Sequence, residues 1–454
     1  MSSLNIVILA AGRGQRMHSD KPKVLHALAG RPLLQHVLDT AAQCSADTTC
    51  VVYGHGGEAV PQAMAQSTAR FVLQEPQLGT GHAVQQALPL LANDGLVLVL
   101  YGDVPLTQLA TLKKMLSQPD ALTLLTHKVS NPSGYGRIVR DSLGRVKCIV
   151  EEKDATPEQR AITEVNTGIL AAPTRLLHTW LGQLQNNNAQ NEYYLTDIVA
   201  MAVAQGVAVH TVQPSHAWEV MGINSKVQLA QLERIWQGEQ AHQLLTQGVT
   251  LADPARIDVR GKLICGREVA IDVGCVFEGE VNLGNDVQVG AYSIIKNSSI
   301  ADGTHIAPYS HIEQAEIGKN CRIGPYARLR PASKLHDEVH IGNFVEIKNS
   351  EISAHSKANH LSYIGDSSVG SRVNIGAGTI TCNYDGAYKH RTVIGDDVFI
   401  GSNTQLVAPV TIGHGATIGA GSTITLDAPE NKLTLARARQ ITIQNWQRPK
   451  KEKK

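Results

Sequence analysis

RIGPYARLRPASKLHDEVHIGNFVEI, Arg322 to Ile347, decides how the second half of the chain folds. Ile323, Leu329, Leu335, Ile341 and Ile347 fall six residues apart. An amphipathic α-helix repeats its apolar positions every three or four residues, and a half-buried strand every two. A six-residue step describes a parallel β-helix instead. Each short strand turns one aliphatic side chain inward, and successive coils stack on one continuous core.

Outward from this stretch the step persists. Upstream it runs through Ile271, Phe277, Leu283, Val289, Ile300, Ile306, Ile312 and Ile317. Downstream it resumes at Ile364, Val369 and Ile375, and then at Ile394, Ile400, Leu406, Ile412, Ile418 and Ile424. Between Ile375 and Ile394, Thr381-Cys382-Asn383-Tyr384-Asp385-Gly386 breaks the pattern. That segment is expected to be a loop extruded from the coil, a place where function often resides.

The first half has a different rhythm. Strand-like runs at Asn5–Ala10, Thr49–Tyr53, Arg70–Leu73, Leu96–Tyr101 and Leu122–His127 alternate with helical stretches such as Pro32–Gln43 and Gly81–Leu91. This predicts a largely parallel sheet covered by helices, with ligands at the carboxyl ends of the strands. Ser225 to about Leu245 has helical spacing and reads as an arm between two domains.

The first strand runs into Gly12-Arg13-Gly14, with Arg16, Lys21 and Lys23 following. A dinucleotide fingerprint would need a third glycine at position 17, and a P-loop would need Gly-Lys-Ser/Thr to begin there; that residue is Met17. The physics of the turn remains. Glycines let the backbone approach a phosphate, amides at the next helix start point at it, and Arg13, Arg16 and Lys23 add charge. A plain strand-to-helix turn is the alternative.

Composition limits the function classes. The 454 residues are too many for one typical core, so two or three domains are expected. Lys+Arg 41 against Asp+Glu 40 argues against a general polyanion binder, so no nucleic-acid partner is expected. The basic run Arg448–Lys454 reads as a solvated tail. No apolar run reaches the ~20 residues that span a bilayer, and with a strand at the start no cleavable signal is expected. Seven scattered cysteines without CxxC spacing fit a reducing cytoplasm and argue against disulfides or zinc.

An α/β domain opening with LAAGxGxRM and then PKVLH, joined by a helix to a hexapeptide domain, resembles one bacterial family over essentially the whole chain. It is the bifunctional N-acetylglucosamine-1-phosphate uridyltransferase/glucosamine-1-phosphate acetyltransferase family. The resemblance implies a nucleotidyltransferase (Rossmann-like) domain over 1–226, a helical linker over 227–250, and a left-handed parallel β-helix with a C-terminal tail over 251–454. The general rule for parallel crossovers predicts the right hand, so the left hand comes from the resemblance alone.

The site residues follow from matched words. Leu9, Ala10, Ala11 and Gly12 would hold the uracil and phosphates of UTP, with Arg16 and Lys23 against the phosphates as catalytic cations. Gln74, Gly79 and Thr80, in LQEPQLGTGHA, would read the uracil ring. Tyr101, Gly102 and Asp103, in LYGDVPL, close the nucleotide site. Asp103 and Asn224, in MGINS, would bind Mg2+. Gly136, Glu151 and Asn166 would hold the sugar. Taken alone, Asp103 could equally cap a turn, and Glu151 could be a solvated charge.

In the second half the resemblance assigns Arg330 and Lys348 to the sugar phosphate, with Tyr363 and Asn374 beside the acceptor sugar. Ala377, Asn383, Tyr384, Ser402, Ala420 and Arg437 fall on the acetyl-CoA side. His360, in ANHLSYIGD, is the expected general base, since imidazole titrates where an amine must lose a proton. A homotrimer is implied, with acetyltransferase sites between subunits. Gln15, Gly81 and Glu152 depart from the family's usual threonine, alanine and histidine. Glu152 is expected to add negative charge near the sugar.

The implied activity is two-step synthesis of UDP-N-acetylglucosamine from glucosamine-1-phosphate, acetyl-CoA and UTP, a supply for cell-wall and outer-membrane sugars. A single-activity sugar nucleotidyltransferase with a structural β-helix is the second reading. A binding scaffold with dead sites is the third. His360 with the Asn383-Tyr384 loop argues against the second, and Arg16, Lys23, Asp103 and Asn224 argue against the third.

Overall fold

The computed structural model describes residues 3–12 and 14–451; Arg13 and the last three residues of the basic tail lie outside the described residues. The chain divides into two compact units, Met1–Trp236 and Gln237–Lys454.

The first unit is built on nine strands: β1 (Leu4–Ala10), β2 (Thr48–Tyr53), β3 (Arg70–Leu73), β4 (Leu96–Tyr101), β5 (Leu122–Lys128), β6 (Arg137–Arg140), β7 (Val146–Val150), β8 (Glu164–Pro173) and β9 (Val209–Val212). Their order is β9-β5-β8-β4-β1-β2-β3, with the β6–β7 hairpin attached at β8. β1 is parallel to both β2 and β4, with Leu9 opposite Val52 and Tyr101. It is buried from Asn5 to Ala10, as its unbroken apolar run requires when helices cover both faces.

The expectation of a largely parallel sheet needs one correction. β8 is antiparallel to β4 and β5, with a register shift between Asn166 and Leu170. Its EVNTGILAAP mixes polar and apolar residues and carries no clear period. Hydrogen bonding to two buried neighbours, rather than its own pattern, makes it a strand. Helices α1 (Leu33–Ala42) and α2 (Thr80–Ala87) cover the sheet, and their amphipathic spacing puts Leu34, Val37, Val84 and Ala87 in the core. Helix α3 (Lys226–Thr246) begins in this unit. Its Leu232 packs with Met17, Leu28, Leu33, Leu106 and Ile223.

In the second unit every one of the twenty-two aliphatic positions named above, from Ile271 to Ile424, lies in one buried cluster. Parallel pairing links Ile323 to Ile341 and Ile341 to Ala358, and hydrogen bonds between neighbouring coils span 17 or 18 residues. Three hexads therefore make one coil. The positions that seemed missing are also filled. Ile295, Ile352 and Ala358 face inward, and Thr381 occupies the slot before the loop. The Thr381 hydroxyl is 2.8 Å from the Gly365 amide, which satisfies a polar group that a dry core would penalise.

Corner residues of the coil adopt positive φ. At one corner Tyr292, Tyr309, Tyr326 and Phe344 stack with centroids 5.0–5.4 Å apart. The last turns of α3 pack on this unit, where Gln237 bonds both the amide and the carbonyl of Val259. Among the described residues, no helix is long and apolar enough to cross a membrane.

Candidate functional sites

The carboxyl ends of β1 and β4 open onto a cavity of about 520 Å³. Leu9, Ala10, Ala11, Gly12, Lys23, Gln74, Gly79, Thr80, Tyr101 and Asp103 all line it, gathered from five separate stretches of sequence. Gln77 and Glu192 also line it and were not singled out from sequence. Gln77 could have been found, since it sits between Gln74 and Gly79. Glu192 lies in a polar run that reads only as a loop.

The glycine turn works through its backbone. Gly14 sits at φ 60°, and a Cβ there would lie 2.8 Å from the Lys23 side chain. Lys23 therefore runs directly beneath the turn. Its ammonium donates to Asp103 Oδ2 and, over 3.0 Å, to Asn224 Oδ1. The segment carrying Asn224 is fixed by Ile223, whose amide donates to the Asp103 carbonyl at 2.9 Å. Two oxygens more than a hundred residues apart thus converge on one cation. This arrangement fits the expected metal, because Mg2+ takes one or two protein oxygens and leaves the rest to phosphate and water. Arg16 is exposed on the 3-10 turn Gln15–Met17 and does not line the cavity. Gly102 is buried behind it, donating to the Leu9 carbonyl at 2.9 Å.

Beyond Tyr101 a second group comes together. A Cβ on Gly136 would meet both Glu151 carboxylate oxygens at 3.3 Å, and the Gly136 carbonyl accepts the Asn166 amide at 2.8 Å. Glu151 accepts from the Thr196 hydroxyl at 3.0 Å. Burial, reinforced by Asp197 and Asp154, raises its carboxyl above the usual range. The Tyr101 phenol is raised by burial, with the Glu151 and Asp103 charges adding to the effect. Tyr101 thus links the two groups. The expectation for Glu152 is corrected: its Oε2 accepts from Arg137 at 2.5 Å, which neutralises it, and Arg137 is the buried partner.

In the coil the predicted residues fall into two columns. Inter-coil hydrogen bonds run from Leu361 to Asn343, Gly378 to His360, Asn403 to Ala377 and Gly421 to Ser402. Asn343, His360, Ala377, Ser402 and Ala420 are therefore stacked along one corner. Arg437 closes the top by donating to the Ala420 carbonyl at 2.8 Å. The stacked aromatics occupy the lower part of this corner. Above His360 stands only the small Ala377, and Gly378 beside it, at φ 75°, adds no side chain.

The second column holds Arg330 and Lys348, at the far edge of the face that Tyr363 occupies, and Asn383 stands at the neighbouring position, one coil above Asp366. Arg330 bonds Glu346 at 2.9 Å, Tyr363 pairs with Glu346, and Asn383 lies 3.4 Å from the Tyr363 hydroxyl. Asp366 accepts from both Asn383 and Asn349. Lys348 lowers the neighbouring Lys389 ammonium, so two cations crowd one spot. Asn374 lies on the adjoining face, and Tyr384 is exposed on the loop. One chain thus sets His360 and the cations Arg330 and Lys348 at opposite edges of a face. Asn343, Asp366 and Lys389 were not singled out from sequence. Asn343 could have been, because it stands one coil before His360.

The same division appears in comparisons with known proteins. Residues 6–162 match the MobA-like NTP transferase domain, 259–341 the GMPPB C-terminal domain, and 391–425 the bacterial transferase hexapeptide with six repeats. Bifunctional protein GlmU from Herminiimonas arsenicoxydans is 62% identical over 453 residues, covering 99% of this chain and 100% of that one. The proteins of the same name from Nitrosospira multiformis and Thiobacillus denitrificans are 64% and 65% identical, and each alignment covers 99% or more of both chains. Likeness of that degree, unbroken from the first strand through the hexapeptide coil, means that this chain belongs to the bifunctional GlmU family.

Proposed function

We propose that the two units carry the two halves of UDP-N-acetylglucosamine synthesis. Residues 251–454 acetylate glucosamine-1-phosphate with acetyl-CoA, residues 1–226 transfer UMP from UTP to the product, and 227–250 join them. The observation that carries the reading is the convergence of Lys23, Asp103 and Asn224 below the glycine turn.

In the first unit a phosphate oxygen of N-acetylglucosamine-1-phosphate attacks the α-phosphorus of UTP, and pyrophosphate leaves. No protein nucleophile is needed. The protein aligns the reactants and offsets charge. Backbone amides of the glycine turn face the triphosphate and Lys23 neutralises charge at the transferring group, while Arg16, exposed outside the cavity, would have to swing in to meet the departing end. Asp103 and Asn224 would hold Mg2+, whose contribution when bound is to offset phosphate charge. Glu151, Gly136 and Asn166 receive the sugar, the carboxylate accepting from hydroxyls.

In the second unit His360 takes a proton from the amine of glucosamine-1-phosphate. The amine attacks the thioester carbonyl, and the thiolate of coenzyme A leaves and is protonated. Ala377, Ser402 and Ala420 are small, and the column above His360 gives a pantetheine chain room to lie along the coil. Arg330 and Lys348 anchor the phosphate. Their separation from His360 across one face supports a trimer, in which a neighbouring coil brings the two edges together. The expected setting is the cytoplasm.

The test measures thiol release from acetyl-CoA with glucosamine-1-phosphate, and pyrophosphate release from UTP with N-acetylglucosamine-1-phosphate, in the full-length protein and His360→Ala. Loss of the first activity with retention of the second is expected. Absence of thiol release from the unaltered protein would overturn the bifunctional reading in favour of a nucleotidyltransferase with a structural coil.

A further inference from the structure

Gln74, in the wall of the nucleotide cavity, is backed by a hydrogen-bond chain that the activity above does not explain. Gln74 is 3% exposed. Its Nε2 donates to the Gly79 carbonyl at 3.0 Å and lies 3.2 Å from His82 Nδ1. His82 Nε2 in turn lies 3.1 Å from Gln86 Nε2, one helical turn on. Tyr193 flanks the imidazole, with ring centroids 6.4 Å apart.

A neutral imidazole has one N–H and one lone pair, so it cannot accept from two amide nitrogens. One glutamine must therefore turn its oxygen to the ring, and Gly79 decides which. A carbonyl only accepts, so the Gln74 atom 3.0 Å from it is nitrogen. Gln86 is half-buried, and its amide reaches the His82 carbonyl only at 3.4 Å. It is the side chain free to rotate and accept from Nε2–H. Burial lowers the His82 pKa and keeps the ring neutral. His82 Nδ1 is then the acceptor, and both hydrogens of the Gln74 amide are occupied. What Gln74 has left for a ligand is the acceptor Oε1.

We propose that His82 is a specificity-determining residue: beside the Gly79 carbonyl it takes the second hydrogen of the Gln74 amide, so that only Oε1 meets the nucleotide base, selecting a pyrimidine that carries a hydrogen on N3. Uracil has that hydrogen. Cytosine has a lone pair at N3, and two acceptors would face each other without water, which is costly in a closed site. The proposal rests on the reading that places the base beside Gln74. His82 acts through Gln74 and touches no reacting atom.

The test compares kcat/KM for UTP and CTP, with N-acetylglucosamine-1-phosphate and Mg2+, in the full-length protein. The variants are His82→Leu, His82→Ala, His82→Gln and Gln74→Leu, with acetyl transfer as the folding control. The apolar His82 variants leave the second Gln74 hydrogen without its acceptor, free to swing toward the base and meet the N3 lone pair of cytosine, so their UTP:CTP ratio should fall about tenfold or more. His82→Gln keeps an acceptor and should restore most of the ratio. An unchanged ratio in His82→Leu and His82→Ala, with a changed one in Gln74→Leu, would overturn the role of His82 and leave the base where it is placed. An unchanged ratio in Gln74→Leu as well would remove the base from this wall of the cavity. An equal fall in His82→Gln and His82→Leu would show that the lone pair is not the cause.

Discussion

Asn343 Oδ1 lies 2.8 Å from His360 Nδ1, one coil below it. An amide oxygen can only accept, so Nδ1 carries a proton, and in the neutral ring the lone pair is then on Nε2. That is the tautomer a general base needs. Asn343→Leu should lower kcat for acetyl transfer by roughly tenfold, part of the ~10²–10⁴ that a positioned base supplies. KM for glucosamine-1-phosphate should stay the same. Asn343→Asp retains an acceptor and should keep most of the rate. In a His360→Ala background Asn343→Leu should cost nothing further, and steady-state thiol release checks all three.

Lys23 provides the charge nearest the turn. Lys23→Met should reduce uridylyl transfer by about 10²–10³, the usual effect of deleting one donor aimed at developing charge. Acetyl transfer in the same preparation should be unaffected. In this variant Asp103 and Asn224 lose the ammonium they share, so Asp103→Asn should be less damaging to stability beside Lys23→Met than alone. Pyrophosphate release and thermal melting of the double-mutant cycle report both effects.

Glu151 predicts a pH-dependent trade between stability and activity. Burial raises its pKa in the folded protein above the ordinary 4.5. A raised carboxyl contributes its stability fully below the unfolded value and loses it as pH rises through the folded one. The ligand-free protein therefore bears a penalty at pH 7 that Glu151→Gln removes. The variant should melt higher than the parent at pH 7, with the difference vanishing toward pH 4. Uridylyl transfer should fall in the same variant, because an amide is a weaker acceptor for sugar hydroxyls.

Gly81 stands where the resemblance leads one to expect alanine, and the structure has closed around the gap. A Cβ there would meet Leu184 and lie 2.9 Å from the Tyr193 carbonyl. Gly81→Ala gains at most about 1 kcal/mol of helix propensity. It should lose about 1–3 kcal/mol to overpacking, because a backbone carbonyl cannot move aside as a side-chain tip can. A lower Tm is expected.

The repeat determined the second half of the fold by itself. Ile323, Ile341 and their equivalents recur at a spacing that no helix or simple strand can bury, so the stacked coil follows from local pattern alone. The inward positions Ala358 and Thr381 escaped the pattern because one is small and the other polar, and they count as core only once neighbouring coils surround them. In the first half the parallel strands were legible as apolar runs. β8 was not, because its strand character comes from the two strands that flank it. The matched words brought forward most site residues, but not their partners. Asn343 beside His360, His82 beside Gln74, and Lys23 between Asp103 and Asn224 are separated by 17, 8, 80 and 201 residues. Hydrogen bonds of about 3 Å between such residues depend on where the coil closes and which strands adjoin. That is a property of packing, and only the tertiary structure decides it.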